Sequence, residues 1–180
     1  FTIMKIGLFF GSTTCYTEMV AEKMQMSFST HTEIDVVLHN IKDDPLSLCQ
    51  EYDFLIFGIS TWDYGELQED WESSWQEVAQ LDLSGKILAL YGMGDQVGYS
   101  EWFQDALGML HEQLLLTEAY ITGYWPNVGY EFISSKALTA DQQNFVGLSL
   151  DDETQYELTD MRIEQWVKKL NNEIKEILAA

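Results

Sequence analysis

The sequence predicts an α/β protein in which a parallel sheet is covered by helices on both faces. Three observations carry that expectation. Short continuous apolar runs of strand length recur along the 180-residue chain and end in glycine and small polar residues, as strands buried on both faces do. Between them lie segments whose apolar residues repeat every three or four positions, the spacing of amphipathic helices. The two patterns alternate, which makes βαβ units and a parallel sheet the natural connection.

Taken in order, Lys5-Ile-Gly-Leu-Phe-Phe10 reads as the first strand and stops at Gly11. Residues 17–26 follow as a helix with Val20, Ala21 and Met24 on one face. Residues 34–38, rich in branched side chains, form the second strand. Asp44-Pro45 marks a helix start, with the aspartate as cap and the proline at the first helical position. Residues 54–58 and 87–91 are the third and fourth strands. One helix over residues 69–81 lies between them, through Trp71, Trp75, Val78 and Ala79. Helical spacing returns at Trp102, Phe103, Ala106, Leu107, Leu110 and Leu114, and again in the last segment at Ile163, Trp166, Val167, Leu170, Ile174 and Ile177. From about residue 124 the rhythm fails, and a polar, turn-rich stretch runs on until Phe145-Val-Gly-Leu148 resumes a strand pattern. A loop of that length inside a compact domain is an insertion, here expected to span about 124–148 and to split the last strand. The whole of 1–180 is expected to be one domain, since no repeat, linker or low-complexity tract divides it.

Thirty acidic against nine basic side chains give a formal charge of −21. Such a charge repels phosphate backbones and anionic lipid, so neither nucleic acid nor membrane is an expected partner. It favours a basic protein partner; separately, a monomer is expected. Apolar and aromatic residues make up 46% and 13% of the chain, too much for a solvating disordered protein, and no apolar run reaches the ~18 residues of a membrane span. Two cysteines cannot build a disulfide framework, and no signal-peptide pattern precedes the first strand, so the cytoplasm is the expected location. Phe1, Thr2 and Ile3 precede the first methionine, Met4, and are expected to be a cloning remnant.

In an open parallel sheet, ligands bind beyond the carboxyl ends of the strands. Three loops occupy that position. The first, Gly11 to Thr17, carries Ser12, Thr13, Thr14 and Thr17 just before a helix start. Backbone N–H groups and short hydroxyls there suit the oxygens of one terminal phosphate. The loop holds no lysine or arginine and lacks the glycine spacing of a dinucleotide site, which excludes a Walker A motif. The second and third loops, Ser60 to Gly65 and Gly92 to Tyr99, contribute Trp62 and Tyr99, large flat side chains in polar surroundings. A flat heterocycle with a single phosphate, held between an indole and a phenol, matches flavin mononucleotide (FMN).

These residues resemble the flavodoxins, specifically the long-chain kind and its second, bacterial B type, over nearly the whole chain from Met4. The family's phosphate motif, Thr/Ser-x-Thr-Gly-x-Thr, corresponds to Ser12-Thr13-Thr14-Cys15-Tyr16-Thr17, with Cys15 in place of the usual glycine. The resemblance implies a flavodoxin-like doubly wound five-stranded sheet of order 2-1-3-4-5 with the insertion in the last strand. It implies that Trp62 stacks on one flavin face and Tyr99 on the other. Ser60, Thr61, Asp63, Tyr64 and Gly65 would then form the first flavin loop, and Met93, Gly94 and Asp95 the second, with Gln104 and Asp105 completing the cofactor-binding set. Trp102 stands where relatives often carry a smaller polar residue. The implied function is a low-potential one-electron carrier, not an enzyme. It would pass electrons from a basic-surfaced flavodoxin/ferredoxin NADP reductase to acceptor redox enzymes. Asp63, Asp95, Glu66, Glu101 and Asp105 would oppose added negative charge on the flavin, and Gly65 would permit the peptide flip that favours one-electron steps.

The competing reading is an FMN-dependent NAD(P)H or quinone oxidoreductase of the same fold. A cysteine phosphatase built on Cys15 fails for want of an arginine clamp, because the single arginine, Arg162, lies in the last helix. A receiver module fails because the third strand ends in Gly58-Ile-Ser without a phosphorylatable aspartate. His31, His39 and His111 are scattered without carboxylate or cysteine partners at metal-ligand spacing, so no metal site is expected. Asp151-Asp-Glu153 reads as a solvated acidic turn.

Overall fold

The computed structural model describes residues 4–31 and 33–180. Residues 1–3, expected to be a cloning remnant, lie outside them. Strands β1 (Met4–Phe10), β2 (Ile34–Asn40), β3 (Phe54–Trp62) and β5 (Ile87–Met93) form a parallel sheet in the order β2-β1-β3-β5. The fifth position beside β5 is shared by two short strands. β6 (Tyr120–Thr122) pairs with its beginning and β9 (Leu148–Leu150) with its end, both parallel. The last strand is thus split as expected, and the doubly wound order stands. A two-residue strand, β4 (Glu66–Leu67), folds back antiparallel on β3.

Both faces of the sheet are covered, which is why its strands read as unbroken apolar runs. Side chains alternate between two cores. Ile6, Leu8, Phe10, Ile56, Ala89 and Tyr91 face the helices α1 (Tyr16–Phe28) and α5 (Tyr156–Ala179). Phe9, Leu55, Phe57, Ile59, Leu88 and Leu90 face α2 (Glu69–Ser73), α3 (Trp75–Gln80) and α4 (Asp105–Leu114). Among the described residues no helix is long and apolar enough to cross a membrane.

The differences from the sequence reading are local. The helix read over 69–81 is two pieces meeting at Ser74, which has φ −104° and ψ 10°. The Ser73-Ser74 pair at the joint favours side-chain to backbone bonding over a regular helix. Asp44 does not cap a helix: its carboxylate lies 2.8 Å from His39 Nδ1, Pro45 stays extended, and residues Leu46–Glu51 form a 3₁₀ helix. His39 therefore has a carboxylate partner that its spacing did not reveal. Trp102 and Phe103 precede α4, because Gln104 takes φ +61° and the helix begins at Asp105. Phe145 belongs to the insertion, where β8 (Asn144–Phe145) pairs antiparallel with β7 (Trp125–Pro126), so the sheet resumes only at Leu148.

Candidate functional site

A cleft of about 340 Å³ opens at the carboxyl ends of β1, β3 and β5. Thr14, Tyr16 and Thr17 line one part, Ser60, Thr61, Trp62 and Asp63 a second, and Met93, Gly94, Asp95 and Tyr99 a third. Asp152 and Glu153, from the turn after β9, complete it. Three loops far apart in sequence thus meet around one cleft, in the size range of small-molecule sites.

The loop after β1 is shaped by its backbone. Cys15 adopts φ +69° and ψ −6°, the left-handed conformation that glycine takes most easily, so the cysteine keeps the turn a glycine would make. Its side chain caps nothing in α1, and the thiol is exposed. Ser12 Oγ is buried with no hydrogen-bond partner, and Thr13 Oγ1 accepts a hydrogen bond from Gln68 Nε2 at 3.2 Å. Gln68 also caps α2 by accepting from the N–H groups of Asp70 and Trp71, which ties the hydroxyl loop to the next helix. Ser12, Thr13 and Cys15 do not themselves line the cleft.

Under the floor, Tyr91 is fully buried and its hydroxyl donates to Thr17 O at 2.8 Å. The ring reaches that far because Gly58 has no side chain: a Cβ there would come within 2.1 Å of it. Burial holds the Tyr91 phenol well above its ordinary pKa, so it remains a donor.

Trp62 Nε1 donates to Ser60 Oγ at 3.0 Å, which fixes the plane of the indole at the cleft wall. Thr61 Oγ1 accepts from the Ala106 N–H at 3.0 Å, anchoring the same strand end to α4. Beyond it the chain turns through Asp63 at φ +43° and Gly65 at φ +86°. Tyr64 is 69% exposed, and its ring meets those of Tyr99 and Trp102 edge-on, with centroids 6.4 and 5.0 Å apart.

Tyr64 and Gly65, like Ser12, Thr13 and Cys15, do not line the cleft, and two more residues of the expected set, Gln104 and Asp105, face elsewhere. Gln104 is fully buried, and its Nε2 donates to Gly92 O and Leu150 O, clamping β5 to β9. Asp105 is buried too and accepts from the Lys136 N–H at 2.8 Å. Burial raises its carboxyl pKa, and that hydrogen bond and the Lys136 charge offset part of the shift. It walls the turn without lining the cleft, since its Oδ2 would lie 2.9 Å from a Cβ at Gly65. Conversely, Asp152 and Glu153 line the cleft although their segment read as a solvated turn, and Asp151 beside them is fully buried. The only sequence signal was their place after a strand end.

Among the described residues no lysine or arginine lines the cleft. Arg162 is buried with its guanidinium 4.2 Å from the Tyr130 ring centroid, in the insertion. Among the described residues no group of histidine, cysteine and acidic side chains could hold a metal. The site therefore offers uncharged donors, a helix start, the aromatic residues Tyr16, Trp62 and Tyr99, and four acidic residues. The lining hydroxyls of Thr14 and Thr17, and the unpartnered Ser12 hydroxyl in the same loop though off the cleft wall, fit a phosphate monoester.

A sequence model of the Flavodoxin family matches residues 8–166. Flavodoxin 2 of Salmonella typhi is 55% identical over 173 residues, covering 96% of this chain and 98% of its own. Flavodoxin 1 of Escherichia coli strain K12 is 42% identical over 169 residues, covering 93% of each. Among solved structures, the flavodoxin of Fusobacterium nucleatum bound to flavin mononucleotide superposes with a TM-score of 0.87, covering 95% of this chain and 99% of that one. At 23% identity the likeness is one of fold.

Proposed function

The chain belongs to the flavodoxin family, and from that premise we propose that it is a low-potential one-electron carrier using non-covalently bound FMN. The observation that carries this reading is one cleft in which the hydroxyl residues Thr14 and Thr17, with no lysine or arginine beside them, meet both Trp62 and Tyr99. Bound there, FMN supplies the ring that accepts and releases electrons, while the protein sets binding, orientation and potential.

The hydroxyls of Thr14 and Thr17 and the start of α1 hold the phosphate without a compensating cation, with the unpartnered Ser12 Oγ in the same loop behind them. Trp62 and Tyr99 flank the ring and exclude water from its faces. Gly65, at φ +86°, leaves the 64–65 peptide free to turn its carbonyl toward ring N5 and accept a hydrogen bond there. Asp63, Asp95, Asp152 and Glu153 line the same cleft and oppose the gain of negative charge. A carboxylate ~10 Å from an added charge opposes it by about 0.4 kcal/mol at water-like dielectric, or about 17 mV for one electron. Four such groups hold the potential low. At longer range the −21 charge steers a basic flavodoxin/ferredoxin NADP reductase and acceptor redox enzymes into brief encounters.

An absorption spectrum with and without added FMN tests the proposal. Twin flavin bands retained through gel filtration, with photoreduction passing through two one-electron stages, are the expected result. Loss of flavin on the column would overturn the cofactor reading. Steady NAD(P)H turnover without a reductase would replace the carrier by an oxidoreductase.

A further inference from the structure

The turn after β9 buries a carboxylate that no cation neutralises. Asp151 is fully buried, and the ion pairs among the described residues leave it out. Hydrogen bonds alone balance its charge. Oδ2 accepts from the Gln96 N–H at 3.0 Å, from Gln96 Nε2 at 2.8 Å and from the Thr154 hydroxyl. Oδ1 accepts from the N–H groups of Glu153 at 3.1 Å and Thr154 at 2.9 Å. Gln96 is itself only 2% exposed, and its Oε1 accepts from the Glu131 N–H of the insertion at 2.7 Å. One amide side chain thus joins the insertion to a buried carboxylate that grips two cleft walls.

The two arms of this contact both end at the cleft. Gln96 directly follows Asp95 in the loop that carries Tyr99, and Asp151 directly precedes Asp152 and Glu153. A buried carboxylate with five donors has no second arrangement of comparable energy, because any displacement leaves the charge short of a bond in low-dielectric surroundings. We infer that Asp151 and Gln96 are positioning residues for FMN, fixing the Tyr99 loop against the Asp152–Glu153 turn. The inference rests on the FMN reading above.

Three variants of the full chain test it: Gln96→Met, Asp151→Asn and the double variant, with Thr154→Val as a comparison. Thr154→Val takes one hydrogen bond from the same carboxylate without touching the Tyr99 loop. The readouts are the FMN dissociation constant and off-rate from flavin fluorescence, and the visible circular dichroism of the bound flavin. Gln96→Met is expected to raise the dissociation constant about ten- to a hundredfold, mostly through a faster off-rate, and to alter the visible dichroism. Asp151→Asn should act in the same direction, and the double variant should be no worse than the poorer single one, since both break one contact. Thr154→Val should leave the dichroism unchanged. Should Asp151→Asn not fold, Gln96→Met decides. A folded Gln96→Met protein with wild-type affinity, off-rate and dichroism would leave the contact merely structural and overturn the inference. Wild-type protein that binds no FMN would overturn the functional reading as well, and the unsubstituted chain alone distinguishes that case.

Discussion

Cys15 holds a left-handed conformation at φ +69° with no side-chain hydrogen bond to the helix to compensate it. That costs roughly 1–2 kcal/mol for a residue with a β-carbon, against the roughly 0.5–1 kcal/mol of extra chain entropy that glycine loses. Cys15→Gly should therefore stabilise the flavin-free protein by about 0.5–1 kcal/mol, read as a higher urea midpoint at unchanged slope. A lower midpoint would mean that the thiol packs favourably. Asp152 gives a second prediction. Burial pushes its carboxyl pKa up, Thr159 and Lys23 pull it down in part, and Asp151 and Asp160 push it up further. The folded pKa thus lies above the unfolded one, so the folded protein binds this proton more tightly. The stability gained from protonation is complete below the unfolded value and is lost as pH rises through the folded one. Asp152→Asn should raise the thermal midpoint at pH 7, and the advantage should shrink as pH falls through the carboxyl range. Equal gains at both ends would exclude titration as the cause. At this scale the sequence was an incomplete guide. Hydroxyls and aromatics announced themselves by type and place, whereas Gln104 and Asp151 carry their roles in hydrogen bonds to residues 46 and 55 positions away.

Among the elements, the insertion and the loop that leads into α4 depend on each other. Phe145 is fully buried among Phe103, Tyr130 and Phe132, with ring centroids 5.0 to 5.8 Å away. The insertion also donates from Ile133 and Ser134 to Ser100 O, and from Lys136 to Asp105. Phe145→Ala should cost about 3–5 kcal/mol, and amide exchange should quicken over residues 96–105 as well as in the insertion. Faster exchange confined to 124–147 would show the two to be independent. Helices and buried strands were legible because their apolar spacing is local. The break at Ser74 and the switch of Phe145 from sheet to hairpin were not, since packing against other segments decides them.

For the whole molecule, a charge of −21 on 180 residues acts on folding and on encounter with opposite signs. Raising salt from about 0.01 to about 0.1 M shortens the Debye length from about 30 to about 10 Å. Self-repulsion weakens, so the thermal midpoint should rise by several degrees. The rate of electron transfer from a basic reductase should fall over the same range. A rate indifferent to salt would leave the charge with a role in solubility alone. Fold class, the split last strand, the loops that meet at the cleft and the sign of the surface were determined by the sequence, because each follows from residue type, local period or net composition. Only the tertiary structure decided that Asp152 and Glu153 line the cleft, that Gln104 and Asp105 turn away from it, and that Asp151 is buried. Those outcomes depend on which distant donors and acceptors the fold brings within hydrogen-bonding reach, and no spacing along the chain encodes that distance.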